Sequence, residues 1–494
     1  PQDVLKRNLD AMAAVKLNVF HWHLSEDQGF RVESKVFPKL HEMGSDGLYH
    51  TQAEIREIVE YARDRGIRVV PEFDMPGHTA AWFVGYPELA SGKGPYQIER
   101  RWGVFDPTMD PTRESTYKFL DRFIGEMTQL FPDAYWHIGG DEVNGKEWDA
   151  NPEIQAFMKA HNLKSNADLQ TYFNKRILEI VTRHQRRMIG WDEVFHPDLP
   201  KTVVIHSWRG PDSLAKPALL GYDCLVNGGY YLELNHHVVD YYGDPLSGEA
   251  ASLTPEQQKH VLGGEASMWT EMNTPELIDS RNWPAGAAVA EKFWSPASVN
   301  DVGSMYRRLD MVSQELDLLG LHHNRYYMPM LRRMAGKFDV EPLRVFADVV
   351  EPLKVYNRQT TTQLTPMNRL GDAARPESRT ARLFNEIAGR IASGHATSDD
   401  ISTARQWLTT WSGNHPLLEP MLQNGLLNDV APVSQNLARV AAIGLQALDY
   451  LDRRNAPGGW ASQHEAFLKE AAKPQADLLL AVLPGVQKLV AAVK

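Results

Sequence analysis

The chain has 494 residues, 43% of them hydrophobic and 23% charged, which is material for two or three packed domains rather than one. Its net charge of -11, with no basic block to offset it, excludes a general nucleic-acid binder, and no apolar run is long enough to span a bilayer. The single cysteine, Cys224, excludes an intramolecular disulfide and lies in the apolar run DCLVNGG, where it reads as buried and inert.

PQDVLKRNLDAMAAVK opens as a helix, with Val4, Leu5, Leu9, Met12 and Val15 at helical spacing. LNVFHWHL, Leu17 to Leu24, is an apolar β-rich run that gives way to the polar loop SEDQGFR. A helix over Gln52 to Arg65, closed by Gly66, leads into the strand IRVVPEFD, Ile67 to Asp74, and then MPGHT. Residues 80 to 112 form a long connection rich in Gly, Pro and aromatics, a length that marks functional loops in compact domains. A helix over Glu114 to Leu130 precedes WHIGGDEV, Trp136 to Val143. A helix at Asp168 to His184 precedes four more strands, in RRMIGWDE, TVVIHSWRG, YDCLVNGGYY and HVLGGEASMWTE, with a helix at Pro211 to Leu220 between the second and third of them. Helices over Ala285 to Trp294 and Val302 to Leu319 close this part of the chain.

Strands alternating with helical crossovers predict a parallel sheet. Seven strands are countable, beginning at residues 17, 67, 135, 186, 202, 222 and 261. Nearly every one ends in polar or aromatic residues, which favours a (β/α)8 TIM-type barrel over a doubly wound sheet with one switch point. The sequence therefore predicts an α/β barrel over residues 1 to 325 whose first strand lies upstream of Pro1. A connector with a helix follows over 326 to 378, including the polar stretch Tyr356 to Ser378. A helical region over 379 to 494 has helices at 379 to 394, 399 to 411, 432 to 453 and 461 to 493.

The chemistry gathers at the strand ends. In WHIGGDEV two glycines precede adjacent carboxylates, Asp141 and Glu142, which either cap the following helix or turn together into one site. Trp191, Trp208 and Trp269 each end a different strand; they either plug the barrel top or wall a small pocket. Asp27, Asp74, Asp192, Glu193, Glu233 and Glu271 stand around them. Carboxylates beside aromatic faces suit a neutral, hydroxyl-rich ligand, a carbohydrate. His21 and His23 have the H-x-H spacing of a metal pair, with His137 and His206 at other strand ends, but no strand offers a clear set of further ligands.

HWHLSEDQGFR, PEFDMPGHT, WHIGGDEV, GWDE, SWRG, GGEASMWTE and AAVAEKFWS, in this order, resemble glycoside hydrolase family 20, the β-N-acetylhexosaminidases, over residues 1 to 325. The resemblance implies an exo-acting, retaining hydrolase whose substrate's own 2-acetamido oxygen attacks the anomeric carbon and forms an oxazolinium ion. By resemblance, Glu142 is the general acid and then base, Asp141 as an anion holds the acetamido N–H, and Tyr231 donates to the acetamido oxygen. Trp191, Trp208 and Trp269 would enclose the methyl, Asp27 and His78 would orient the acid, and Glu233 and Glu271 would bind the 4- and 6-hydroxyls. Glu233 departs from the family's usual Asp or Asn. The partner implied is an oligosaccharide or glycoconjugate ending in N-acetylglucosamine or N-acetylgalactosamine, with no cofactor and no metal, in an exported, periplasmic or extracellular protein. The family's first strand, its arginine for the 3- and 4-hydroxyls, and an N-terminal α/β domain would precede Pro1. Two alternatives stand beside this reading: a weakly active amino-sugar-binding fragment, and a metal-dependent amidohydrolase using His21 and His23.

Overall fold

The structure, a computed structural model, describes every residue except 359–365, 454 and 494. It divides into two compact units: Pro1–Tyr231, Tyr242–Ser267 and Gly286–Val312 in the first, and Leu232–Tyr241, Met268–Ala285 and Ser313–Lys494 in the second. The boundary expected near residue 325 thus falls at Val312, and two excursions, 232–241 and 268–285, join the second unit.

The first unit is built on seven parallel strands among the described residues: β1 (Val19–His23), β2 (Arg68–Glu72), β3 (Tyr135–His137), β4 (Arg187–Trp191), β5 (Val204–Ser207), β6 (Asp223–Val226) and β7 (Val261–Gly264). They pair in sequence order, β1 with β2 and so on to β6 with β7. The sheet curls as a barrel does, because its two edges meet through side chains. His21 Nδ1 on β1 lies 3.0 Å from both carboxylate oxygens of Glu265, just past β7. Trp294 Nε1 donates to the Lys16 carbonyl at 2.8 Å.

Parallel strands need helical crossovers, and the sequence supplies each with its own start signal. The helix before β2, α1 being Gln2–Ala14 and this one α2 (Gln52–Arg63), begins with a reciprocal cap between Thr51 and Glu54 and buries Ile55, Ile58 and Ala62. It ends two residues before the predicted Arg65, and Gly66 at φ +73° turns the chain into β2. Glu114–Met127 forms α3, and α4 (Asn166–Arg183) starts from the same kind of cap between Ser165 and Asp168. The long connection after β2 is ordered by Trp82, buried with its ring edge-on to Phe30 and Phe123 at 5.0 and 4.9 Å. Cys224 is buried, and burial pushes its thiol up to about 12.

Register puts the polar residues of neighbouring strands on common rungs. His23 pairs with Glu72, Glu72 with His137, and Trp191 with His206.

The second unit is mostly helical, around a core that includes Leu331, Phe346, Leu408, Trp411, Leu437, Val440 and Val486. Its main helices are α5 (Arg379–Ala392), α6 (Ser398–Leu418), α7 (Ala431–Arg453), α8 (Trp460–Ala471) and α9 (Leu483–Ala492). The helix predicted over 399 to 411 therefore runs on to Leu418. The one predicted over 461 to 493 is broken, because Pro474 has no amide to donate and disfavours helix in the residue before it. After the break, Leu478–Leu480 pairs antiparallel with Val350–Pro352, a small sheet in a region expected to be free of strands. Part of the predicted polar connector, 359–365, lies outside the described residues. Among the described residues no helix is long and apolar enough to cross a membrane.

Candidate active site

Past β3 the chain makes a turn that only glycine allows. Gly139 and Gly140 have φ of +67° and +93°. A Cβ on Gly139 would lie 1.9 Å from Asp74 Oδ1, and one on Gly140 would lie 2.5 Å from Val194 Cγ2. The backbone threads between those two side chains, and the Gly140 amide donates to Asp74 Oδ1 at 3.0 Å. Glu142 then adopts a left-handed φ of 51°, which reverses the chain. Asp141 and Glu142 consequently face the same imidazole: His78 Nε2 is 3.9 Å from Asp141 Oδ2 and 3.5 Å from Glu142 Oε2. The capping alternative falls away, since the next helix, Lys146–Ala150, starts at Gly145 with no side-chain cap.

His78, itself left-handed at φ 55°, is set by the hairpin after β1. Its Nδ1 lies 2.8 Å from Glu26 Oε1 and 3.8 Å from Asp27 Oδ2. Glu26 is thus the nearer of the two acids. Asp27 Oδ1 accepts the Ala80 amide at 2.8 Å. Burial would drive His78 toward neutrality, but Glu26, Glu142 and Asp141 hold its proton well above the ordinary imidazole range. Burial pushes Asp141 the other way for an acid, up to about 7, with His78 restraining the rise and Glu193 and Glu72 adding to it. Asp141 is therefore less readily an anion in the free protein than its expected role implies. Asp27 also rises to about 7, through burial and the neighbouring Glu26.

Two of the three tryptophans lie in this unit. Trp191 is 1% exposed; its Nε1 donates to Glu72 Oε1 at 2.8 Å and its ring stacks on His206 at 4.2 Å. Trp208 is half-buried and pinned from two sides. Its amide donates to Asp192 Oδ2 at 2.9 Å, and its Nε1 to Glu193 Oε2 at 3.1 Å. Glu193 Oε1 accepts Arg209 Nη2 at 2.6 Å and the Glu142 amide at 3.4 Å, so one carboxylate links the aromatic wall to the acid's backbone. Tyr231, beyond β6, pairs its backbone with Ser267.

Trp269, Glu233 and Glu271 belong to the second unit. There Glu233 is buried, and burial together with Glu271 raises its carboxyl well above the usual range.

A cavity of about 560 Å³ opens along the connection after β2, lined by residues that include Tyr96, Glu99, Arg101 and Phe105. Asn144, two residues past Glu142, is tied to its wall through Phe105 O at 3.2 Å and Asp106 Oδ1 at 2.8 Å.

Among the described residues, four groups of three bring metal-ligand atoms within 4.8 Å of one another: His21, His137 and His206; His23, Glu72 and Asp74; Glu26, Asp27 and His78; Asp74, His78 and Asp141. The H-x-H pair, however, is engaged by carboxylates. His21 and His23 both lie on Glu72 Oε2, at 2.9 and 3.1 Å. Glu72, Glu26 and Glu265 are site residues that the sequence reading passed over. A signal was present: His21 and His23 on β1, and Glu72 and Asp74 at the end of β2, repeat at the same period of two on neighbouring strands.

The sequence pattern of the glycosyl hydrolase family 20 catalytic domain matches residues 1–297. The chain is 35% identical over 366 residues to a beta-hexosaminidase of Porphyromonas gingivalis, covering 68% of this chain and 46% of that protein. It is 38% identical over 321 residues to the beta-hexosaminidase subunit beta of Mus musculus, covering 63% of this chain and 59% of that one. It thus spans about half the length of these relatives. Its fold superposes on the crystal structure of Flavobacterium johnsoniae chitobiase with a TM-score of 0.92 and 40% identity, over 99% of this chain and 76% of that one. A family 20 exo β-N-acetylglucosaminidase from Vibrio harveyi, crystallised with N-acetylglucosamine, matches with a TM-score of 0.58 and 29% identity over 65% of this chain and 56% of that one. With the barrel and the Asp141–Glu142 turn in place and the family's catalytic pattern running through both, the chain belongs to glycosyl hydrolase family 20.

Proposed function

We propose that this chain carries an exo-acting, retaining β-N-acetylhexosaminidase that releases terminal N-acetylglucosamine or N-acetylgalactosamine. The observation that carries the reading is the placement of Asp141 and Glu142 around one imidazole, two adjacent carboxyls with separate targets. In the first step Glu142 gives its proton to the leaving oxygen while the substrate's acetamido oxygen closes on the anomeric carbon. Asp141 accepts the acetamido N–H and stabilises the growing oxazolinium charge; Tyr231 donates to the acetamido oxygen. In the second step Glu142 takes a proton from water, which opens the ring with net retention. Trp191 and Trp208 flank the acetamido methyl. The relatives named hexosaminidase and chitobiase support this substrate class. Export to the periplasm or beyond is part of the same proposal.

The test compares aryl β-glycosides with and without the 2-acetamido group, and follows the product anomer by proton NMR. The 2-acetamido substrate is turned over with retention and the 2-hydroxy analogue is not. Glu142→Gln lowers kcat by about 10²–10⁴ on a poor leaving group. Equal turnover of the two glycosides would remove the substrate-assisted mechanism.

A further inference from the structure

The cavity of about 560 Å³ along the connection after β2 reaches the Asp141–Glu142 turn from two sides. Ala80 lines it and stands two residues past His78. Phe105 and Asp106 line it too, and both are bonded to Asn144, two residues past Glu142. His78 Nε2 and Glu142 Oε2 are 3.5 Å apart. Two residues of chain span at most about 7 Å, so both walls begin within that reach of the backbone of the His78–Glu142 pair.

The walls are built into the barrel. The Glu99 amide donates to the Asp27 carbonyl at 3.1 Å, and Gln28 Nε2 donates to the Arg101 carbonyl at 2.7 Å, which fastens one side to the hairpin after β1. Lys146 Nζ meets Asp106 Oδ1 at 2.9 Å, and the Thr108 amide donates to Glu147 Oε2 at 3.1 Å, which fastens the other side to the helix after Glu142. The Tyr96 ring packs on buried Phe83, with 5.2 Å between centroids. The Arg101 guanidinium lies 5.2 Å from the centre of the Phe105 ring. Tyr96 and Phe105 are both half-buried, so each ring keeps surface to offer a ligand.

Charge in the walls is already paired. Arg101 donates to Glu99 from Nε at 3.0 Å and from Nη2 at 2.9 Å. That fork, with the amides of Arg101 and Arg100, holds Glu99 down to about 2. Lys146 and Asn144 hold Asp106 below its ordinary range. Glu99 with Arg101 and Asp106 with Lys146 thus make two closed ion pairs.

Glu142 stands between two spaces. On one side its amide meets Glu193 at 3.4 Å, and Glu193 holds Trp208, the wall toward which Asp141 directs the acetamido group in the proposed mechanism. On the other side is the cavity. A general acid lies within about 2.6–3.2 Å of the oxygen it protonates, and that oxygen joins the sugar being released to its leaving group. With the first sugar toward Trp208, the leaving group points toward the cavity.

We propose that this cavity is the leaving-group subsite, that it takes a second, uncharged sugar of the substrate against the rings of Tyr96 and Phe105, and that Phe105 is a specificity-determining residue for that sugar. This rests on the reading of Glu142 as general acid. A pyranose presents C–H faces to aromatic rings and hydroxyls to polar neighbours, here Gln97, Glu99 and Arg101. A sugar bearing a carboxylate or sulfate would have to open one of the two ion pairs to find a partner; a neutral one need not.

The test compares two substrates with the same first sugar: the β-1,4-linked disaccharide of N-acetylglucosamine, and N-acetyl-β-glucosaminyl azide, whose leaving group is too small to engage the walls. In Phe105→Ala the ratio of kcat/KM for the disaccharide to that for the azide falls about fivefold to tenfold. Azide turnover reports that the variant is folded. Val104→Trp, at a lining residue 47% exposed, obstructs the same space, lowers the same ratio and serves where Phe105→Ala does not fold. In the parent, a disaccharide with glucuronic acid in the leaving position is cleaved severalfold less efficiently than its uncharged counterpart, and Glu99→Gln, which frees Arg101, narrows the gap. An unmoved ratio in folded Phe105→Ala, or in Val104→Trp should the first not fold, overturns the proposal, and so does a glucuronide cleaved as well as the neutral disaccharide. A parent that turns over no N-acetylhexosaminide, azide included, removes the activity and not the subsite. Calorimetric titration of the disaccharide into the parent and Phe105→Ala then decides: binding about fivefold weaker in the variant sustains the subsite, and equal or absent binding overturns it.

Discussion

The carboxyl of Asp74 faces that of Asp141, and the Gly140 amide holds it there at 3.0 Å. Burial and the neighbouring Asp141 lift Asp74 well above the usual carboxylate range, while a hydrogen bond from Asp74 restrains the rise of Asp141, so Asp74 is the partner that holds the proton and donates it. The two aspartates therefore form a donor–acceptor pair and not two competing anions.

That pair sets the acid side of the pH profile. In the proposed mechanism Asp141 works as an anion, so kcat/KM should rise as pH climbs through its value, about 7 in the free protein. Asp74→Asn keeps a donor on Asp141 and leaves the limb in place. Asp74→Leu keeps the burial but removes the donor, and the limb moves to higher pH. The pH dependence of kcat/KM for the two variants, measured side by side, checks this; coincident limbs would show that Asp74 does not tune Asp141.

Gly139→Ala attacks the same pair through the backbone. The new Cβ would meet Asp74 Oδ1 at 1.9 Å in a left-handed conformation. The backbone alone costs about 1–3 kcal/mol, and displacement of Asp74 comes on top. Thermal unfolding should show the loss of stability and steady-state kinetics a fall in kcat of about 10² or more. A variant as stable and active as the parent would mean that the turn does not depend on the missing side chain.

Stability should fall with pH on the alkaline side. His21, His23 and His78 have folded-state values above the unfolded 6.5, so the stability they contribute is complete below 6.5 and lost as pH rises through their folded values, about 10 for His21. The raised Asp74 acts in the same sense. Glu26, Glu72 and Glu265 are ionised in both states above pH 7.5, and His137 and His206 are neutral in both. Between pH 7.5 and 9 the unfolding temperature therefore declines, and the decline is shallower in His23→Gln. A flat profile over that window would contradict the charge held on His21, His23 and His78.

Glu193 joins Trp208 to the Glu142 backbone, and a double-mutant cycle measures the joint. Glu193→Ala should raise KM for a 2-acetamido substrate, because the Trp208 ring loses its Nε1 partner. Trp208→Phe keeps a ring but no N–H. Glu193→Ala should then cost less in the Trp208→Phe background, with a coupling of about 0.5 kcal/mol or more. Additive effects would mean that the hydrogen bond does not hold the wall.

Much of the barrel was readable because each strand is a short β-branched run that stops at Gly, Pro or a polar residue, a local pattern. Asp141 and Glu142 were readable for the same reason, being placed at a strand end, whereas His78 came only with the family resemblance. Glu72 was not: it reads as one more strand residue until β1 is laid beside β2 and His21 and His23 are seen to share its oxygen. Glu26 was passed over for its neighbour Asp27, since only the hairpin geometry decides which of two adjacent acids meets His78. In the second unit, three leucines at 478–480 cannot be told from a helical segment by periodicity, although Pro474 marked the break. The membership of 232–241 and 268–285 in that unit depends on contacts between segments remote in sequence, which carry no periodic signal.

His78 and Glu142, which face each other across 3.5 Å, both sit in backbone conformations that glycine adopts without cost and a histidine or glutamate does not. On the proposed mechanism, catalysis and folding therefore make opposite demands at these two positions. A search for heat-resistant variants of this protein that ignored turnover would favour glycine or asparagine at residues 78 and 142, and would arrive at a sturdier barrel by discarding the groups that move the proton.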